Sequence, residues 1–224
     1  MKENSPFLAP LTISEAIYRY MKKEIIEGRC HPNQRLLLTE IAKLFNVSST
    51  PVRDAFLKLA SEGYLVLNTR KGFFIQEKTN AEVKQLYEIV RVLDKIALRS
   101  IMRTIKRETI DDLKEKTGKL SEYYEANDTQ GYLRQNLIIH ETIWKNCENK
   151  FLYDTLVQVM EKIAIYRTHH DFAPFSSRSA IEKSHKDHLS IMELIEAGDI
   201  DRLERVIDLH WGEEFYTEKQ GGTG

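Results

Sequence analysis

Apolar residues recur three and four positions apart along most of this 224-residue chain, the period of helices with one buried face. Between positions 12 and 27 the stripe is Ile13, Ala16, Ile17, Tyr20, Met21 and Ile25, with Gly28 placed to end it. A turn at His31-Pro32-Asn33 follows. Ile41, Ala42, Leu44 and Phe45 then predict a short helix beginning at Thr39, whose hydroxyl is placed to cap the first turn. Asn46-Val47-Ser48 reads as a tight turn: Asn tolerates a left-handed conformation, Ser48 is a good N-cap, and Pro51 is tolerated in a first turn. Val52, Ala55, Phe56 and Leu59 form the inner face of the next helix, closed by Gly63. The pattern then changes to two short strands, 64–67 and 73–76, around Asn68-Thr69-Arg70-Lys71-Gly72.

From position 80 onward there is no strand pattern. Six helical segments are predicted, at 80–106, 107–126, 129–147, 150–171, 175–197 and 200–219, separated by turn chemistry such as Asn127-Asp128, Asn149 and Gly198-Asp199. The expected fold is therefore mainly α. A winged helix-turn-helix with a small β-hairpin occupies residues 1–78, beginning with a loose arm at 1–10. An all-α antiparallel bundle occupies 79–219, and 220–224 form a disordered tail.

Composition narrows the class. The content is 42% hydrophobic and 30% charged, ordinary for a globular protein, and no apolar run has the length of a membrane span. The N-terminus lacks the apolar core of a signal peptide, and two cysteines, Cys30 and Cys147, are too few for a disulfide framework. These features point to the cytoplasm. The formal net charge of −1 conceals an asymmetry: residues 1–78 hold 12 Lys/Arg against 8 Asp/Glu, and the remainder 21 against 26. A mildly basic head on an acidic body has the sign expected for nucleic-acid binding at one end.

In the head, the second helix of the pair turns Ser49, Thr50, Arg53 and Lys58 away from its apolar face. Recognition helices meet bases through their N-terminal residues, and a guanidinium can bond both major-groove acceptors of guanine. Arg70, Lys71 and Gly72 at the hairpin tip suit a wing lying along phosphates. Spacing alone leaves open a helical core with a hairpin that touches no DNA. The run Arg35-Leu36, Glu40, Ala42, Val47-Ser48, Thr50-Pro51-Val52-Arg53-Asp54-Ala55, Leu59, Glu62-Gly63 and Lys71-Gly72 resembles the N-terminal domain of GntR-family transcriptional regulators. The resemblance implies DNA contacts at Arg35, Ser49, Thr50, Arg53 and Gly72. Ser49 stands where the family usually has Arg, so a cationic base reader is missing there and the operator sequence does not carry over from relatives.

In the body, the informative residues are histidines. Asn136 and His140 lie four apart on one predicted helix and point the same way, and His188 and His210 lie on two later ones. Three imidazoles converging inside a bundle would form a metal site, and three packing histidines would show the same spacing. The segments NLIIHETIWKNCENKFL at 136–152, DHLSIMELIEAGD at 187–199 and DLH at 208–210 resemble the FCD domain of the FadR subfamily of GntR regulators. The six helices are closer to its VanR-like group. Members often hold a divalent metal through an Asp and three His and sense a small carboxylate beside it. The resemblance places His140, His188 and His210 at the imidazole positions and Asn136 at that of the Asp. Asn can ligate through its carbonyl oxygen but brings no charge, which leaves more positive charge on a zinc or nickel ion for an anionic effector. Arg91 matches an Arg that faces the effector pocket, and Asp94 stands where Glu is commoner. His169, His170 and His185 match no ligand position.

The expected protein is a homodimeric regulator, in most cases of this kind a repressor. It would bind a palindromic double-stranded operator, with affinity set by an organic acid in the bundle. Two rivals remain at this level. One is a metal-dependent hydrolytic enzyme, although Glu141 and Asp187, next to the ligands in sequence, are expected to point elsewhere. The other is a regulator with a metal-free apolar pocket.

Overall fold

The computed structural model describes residues 11–77, 79–167 and 177–212. The expected arm at 1–10, the tail at 220–224, His169, His170 and the outer ends of the helices predicted at 150–171, 175–197 and 200–219 lie outside the described residues. The chain divides into two compact units. One gathers residues up to Glu77 with the segment of chain from Ala164, and the other gathers the rest.

The first unit contains α1 (Ile13–Ile26), β1 (Arg35–Leu36), α2 (Leu38–Phe45), α3 (Ser49–Ser61), β2 (Leu65–Asn68) and β3 (Gly72–Ile75). Thr12 caps α1 by accepting from the Glu15 amide, a bond worth about 1 kcal/mol. The buried side of α1 (Ile17, Met21, Ile25) packs on that of α3 (Val52, Ala55, Phe56, Leu59), and Phe56 meets Phe73 of β3 edge to face at 5.3 Å. Asn46 takes the left-handed conformation that stops α2, at φ 53°. Two caps differ from expectation. The first helix of the pair begins at Leu38 with Leu37 at its cap, so Thr39 lies inside the helix, and its first amides bond the Leu37 carbonyl. Ser48 does occupy the cap of α3, but its side chain makes no capping bond. The sheet also gains a third strand. β1 pairs with β3 through Arg35↔Phe74 and Leu36↔Phe73, giving the order β1-β3-β2. Two residues are too few to show a period of two.

The second unit is helical: α4 (Asn80–Met102), α5 (Arg107–Glu125), α6 (Thr129–Lys145), α7 (Lys150–Arg167) as far as Ile163, α8 (Arg178–Ala197) and α9 (Ile200–His210). A reciprocal capping box starts α4: the Glu82 amide bonds Thr79 Oγ1, and the Thr79 amide bonds Glu82 Oε2. Gly198 (φ 72°) ends α8, and Asp199 caps α9 by accepting from the Arg202 amide. α9 spans Ile200–His210, and its C-cap residue Trp211 is 4% exposed. The core contains Val90, Leu98, Leu113, Leu120, Tyr132, Ile143, Trp144, Leu156, Leu203 and Ile207. Within it sits a buried polar patch: Asp94, Asn136, His140, Ser184, His188 and His210. Cys30 and Cys147 are buried free thiols. No described helix is long and apolar enough to cross a membrane.

Candidate functional site

Buried polar groups are costly unless satisfied, so the patch in the bundle marks a site. His140 on α6, His188 on α8 and His210 at the end of α9 are each 3% exposed or less. Their ligand nitrogens all lie within 4.8 Å of one another. His140 Nε2 is 3.1 Å from His210 Nε2 and 3.2 Å from His188 Nε2. Nitrogens held ~2.0–2.1 Å from one ion at right-angled or tetrahedral positions are themselves ~2.8–3.4 Å apart. The spacing fits a shared cation.

The outer ring nitrogens settle which way two of the rings face. His188 Nδ1 donates to the Ser184 carbonyl at 2.7 Å, and His210 Nδ1 meets Asp187 Oδ2 at 3.3 Å. Both rings therefore present a bare Nε2 to the centre. Burial, and then the neighbouring His210 and His140, push His188 well below the ordinary imidazole value, so it is neutral, the form that binds metal. The contact with Asp187 corrects the expectation that this carboxylate points elsewhere. Burial raises its carboxyl, and Lys183 at 3.3 Å opposes that rise. Glu141 does point elsewhere, accepting from Tyr153 Oη at 3.2 Å.

Asn136, 1% exposed, sits one turn before His140. Its Oδ1 accepts a long bond from Ser184 Oγ at 3.5 Å, and Ser184 Oγ accepts from Tyr132 Oη at 2.9 Å. Arg91 is half-buried on α4 and makes no ion pair with a described residue. His185 is stacked on Tyr124 at 4.4 Å, apart from the imidazole centre, with its Nδ1 buried and unbonded. Sequence reasoning noted Asp94 beside Arg91 but gave it no partner and passed over the two tryptophans around it. Asp94 is fully buried, with Oδ1 accepting from Trp144 Nε1 at 2.6 Å and Oδ2 from Trp211 Nε1 at 2.7 Å. A buried acid on an amphipathic helix was the available signal.

In the head, Arg35, Ser49, Thr50, Arg53, Arg70 and Lys71 are all exposed. The four cations among them form no ion pair with a described residue. Lys58 differs: its ammonium is 2.8 Å from Glu15 and 3.8 Å from the centre of the Tyr18 ring. At the wing tip, Asn68 Oδ1 accepts from the amides of Arg70 and Lys71 at 3.0 and 3.1 Å, which holds both cations outward on a short turn. Gly72 (φ 95°) needs a conformation that L side chains rarely adopt, and a Cβ there would stand 4.0 Å from Arg35 Nε.

Both parts of the chain match known families. The FCD domain profile matches residues 85–213, and that of bacterial regulatory proteins of the gntR family matches 13–75. The HTH-type transcriptional repressor RspR of Escherichia coli (strain K12) is 22% identical over 198 residues, 88% of this chain and 85% of that one. The gluconate operon transcriptional repressor of Bacillus licheniformis is 23% identical over 176 residues, 77% and 68% of the two chains. Among solved structures, McbR/YncC of E. coli shares the fold with a TM-score of 0.71 at 16% identity, covering 91% of this chain and 95% of that one. The chain belongs to the GntR family of bacterial regulatory proteins, with an FCD domain following its winged helix-turn-helix, and is a DNA-binding transcriptional regulator and not an enzyme.

Proposed function

We propose that this regulator binds a palindromic double-stranded operator as a homodimer in the cytoplasm. A small carboxylate, bound at a metal in the bundle, would set its operator affinity. The observation that carries this reading is the set of three buried imidazoles with Nε2 atoms 3.1 and 3.2 Å apart. Neutral, converging imidazoles suit a divalent transition metal, zinc or nickel first. His140, His188 and His210 would hold the ion, with the Asn136 carbonyl oxygen as a fourth, uncharged ligand. The metal would supply a Lewis-acidic positive point for a carboxylate. Arg91, half-buried and without an ion pair among the described residues, would supply a fork for the same anion. Relatives named as repressors favour repression.

On the DNA side, Ser49, Thr50 and Arg53 would enter the major groove. Arg35, Arg70, Lys71 and the Gly72 backbone would lie against phosphate or the neighbouring groove. Two-fold operators follow from a two-fold dimer, with half-sites about one DNA turn apart. The carboxylate would act by binding two states of the regulator unequally, a coupling of about 1–3 kcal/mol.

The test is elemental analysis of untagged protein, wild type beside His188→Ala, followed by a carboxylate screen for metal-dependent stabilisation and altered operator affinity. About one transition metal per chain, lost in the variant, is the expected result. No metal in either protein after reloading would refute the metal and leave a pocket that recognises its ligand through Arg91 and the histidines.

A further inference from the structure

Two of the three imidazoles have their outer nitrogen fixed by an acceptor, and the third does not. His140 Nδ1 is buried without a hydrogen bond. Facing it at 3.6 Å is Asp94 Oδ2, just beyond hydrogen-bond range. Burial works to raise the Asp94 carboxyl, yet His140 and the two indole donors outweigh it and hold the group below its ordinary value. A carboxylate accepts at about four lone-pair positions, so Asp94 has capacity left after its two indole bonds.

Asp94 is also anchored from two helix ends by its indole bonds. Trp144 comes from α6, one turn after His140, and Trp211 directly follows His210. The His140 ring lies between these indoles, 5.7 Å from Trp144 and 4.7 Å from Trp211. Lys95, beside Asp94 on α4, bonds Asp208 of α9 at 2.6 Å. α4 is the helix that the chain enters immediately after the head, through Thr79. A ring that binds a cation through Nε2 must carry its proton on Nδ1, and Asp94 is the acceptor in front of that atom. Asp94 and Asp187 also place two carboxylates behind the ligand set, charge of the kind that Asn136 does not provide.

We propose that Asp94 is a positioning residue: it holds His140 with Nε2 toward the imidazole centre and, through Trp144 and Trp211, ties that centre to helix α4. The proposal rests on the metal reading above. In a loaded protein the His140–Asp94 separation closes to a hydrogen bond, so occupancy of the centre is felt at α4.

The test uses the full chain with Zn2+ for affinity, by chelator competition, and Co2+ for its absorption spectrum. Asp94→Asn leaves only one acceptor oxygen for two indoles and none for His140. It is expected to weaken Zn2+ by about 10–100-fold and to shift the Co2+ bands. Asp94→Glu, which keeps the carboxylate, is expected to recover the larger part of both. A carboxylate that served only to anchor the tryptophans would lower the melting temperature and leave affinity and spectrum unchanged, which would overturn the proposal. Should Asp94→Asn not fold, NMR of zinc-loaded wild type decides: a slowly exchanging Nδ1–H on His140 supports it, and a His140 without one overturns it. Wild type that binds neither ion overturns the metal reading itself, whereas binding unaffected by Asp94→Asn overturns only the role of Asp94.

Discussion

The reading surface of the head and the imidazole centre of the bundle are built on opposite plans. The head exposes Arg35, Arg53, Arg70 and Lys71 within one stretch and leaves these four without ion pairs among the described residues. The bundle buries its working groups and gathers them from α4, α6, α8 and α9. A long polyanion is met by charges that remain solvated and unpaired until it arrives. A small ion is gripped best by ligands that are already desolvated and oriented. In the first plan a lost residue weakens one contact among many, and in the second it disables the whole centre.

The largest effect is therefore expected at His188. His188→Ala should lose the metal outright, and metal should no longer raise the thermal midpoint of the bundle. In wild type, metal at a hundredfold excess over its Kd should stabilise by about 2.7 kcal/mol. Both of the chain's tryptophans, Trp144 and Trp211, lie in the bundle, so their fluorescence follows that unit alone. A midpoint that rises with metal in the variant would contradict the assignment.

Next comes Arg53→Ala, expected to weaken a selected operator by about 1–3 kcal/mol, or roughly 5–150-fold, and to relax specificity at the base it meets. Lys58→Ala sharpens the contrast within one helix. Its ammonium is committed to Glu15 and Tyr18, so operator affinity should hold while stability falls by up to about 1 kcal/mol. Equal losses of DNA binding in the two variants, by fluorescence anisotropy, would remove the distinction. Lys71→Ala should weaken all sequences alike and reduce the salt dependence by about one unit of slope.

The smallest effect is the pH response of the metal-free bundle. The native state holds His188 and His185 neutral through burial, whereas the unfolded chain protonates them as pH falls through the ordinary value of 6.5. The unfolded state then binds more protons. Stability is complete above that pH and declines below it, by at most about 1.4 kcal/mol per pH unit for each group. His185→Phe keeps a ring on Tyr124 and should flatten the slope measured by urea titration between pH 6.5 and 5. An unchanged slope would show that His185 is protonated in the folded state.

The helix-turn-helix with its wing, the six helical segments of the bundle and the histidine frame were legible in the residue pattern. Each rests on local chemistry: a stripe at helical spacing, Asn46 and Gly198 at left-handed turns, Asn68 through Gly72 between two short apolar runs. The convergence of His140, His188 and His210 was also legible, but only through the family resemblance, because spacing cannot distinguish ligands from packing histidines. Packing set the rest. The strand at Arg35–Leu36 exists because β3 is there to pair with it. Thr39 falls inside α2 because Leu37 supplies the carbonyl that starts the helix. Asp187 turns to His210 across 23 positions, and Asp94 joins Trp144 and Trp211 across 50 and 117. A pattern of three and four reports which face of a helix is buried. What a buried carboxylate meets there depends on which helices pack against that face, and packing brings together residues that no local period relates.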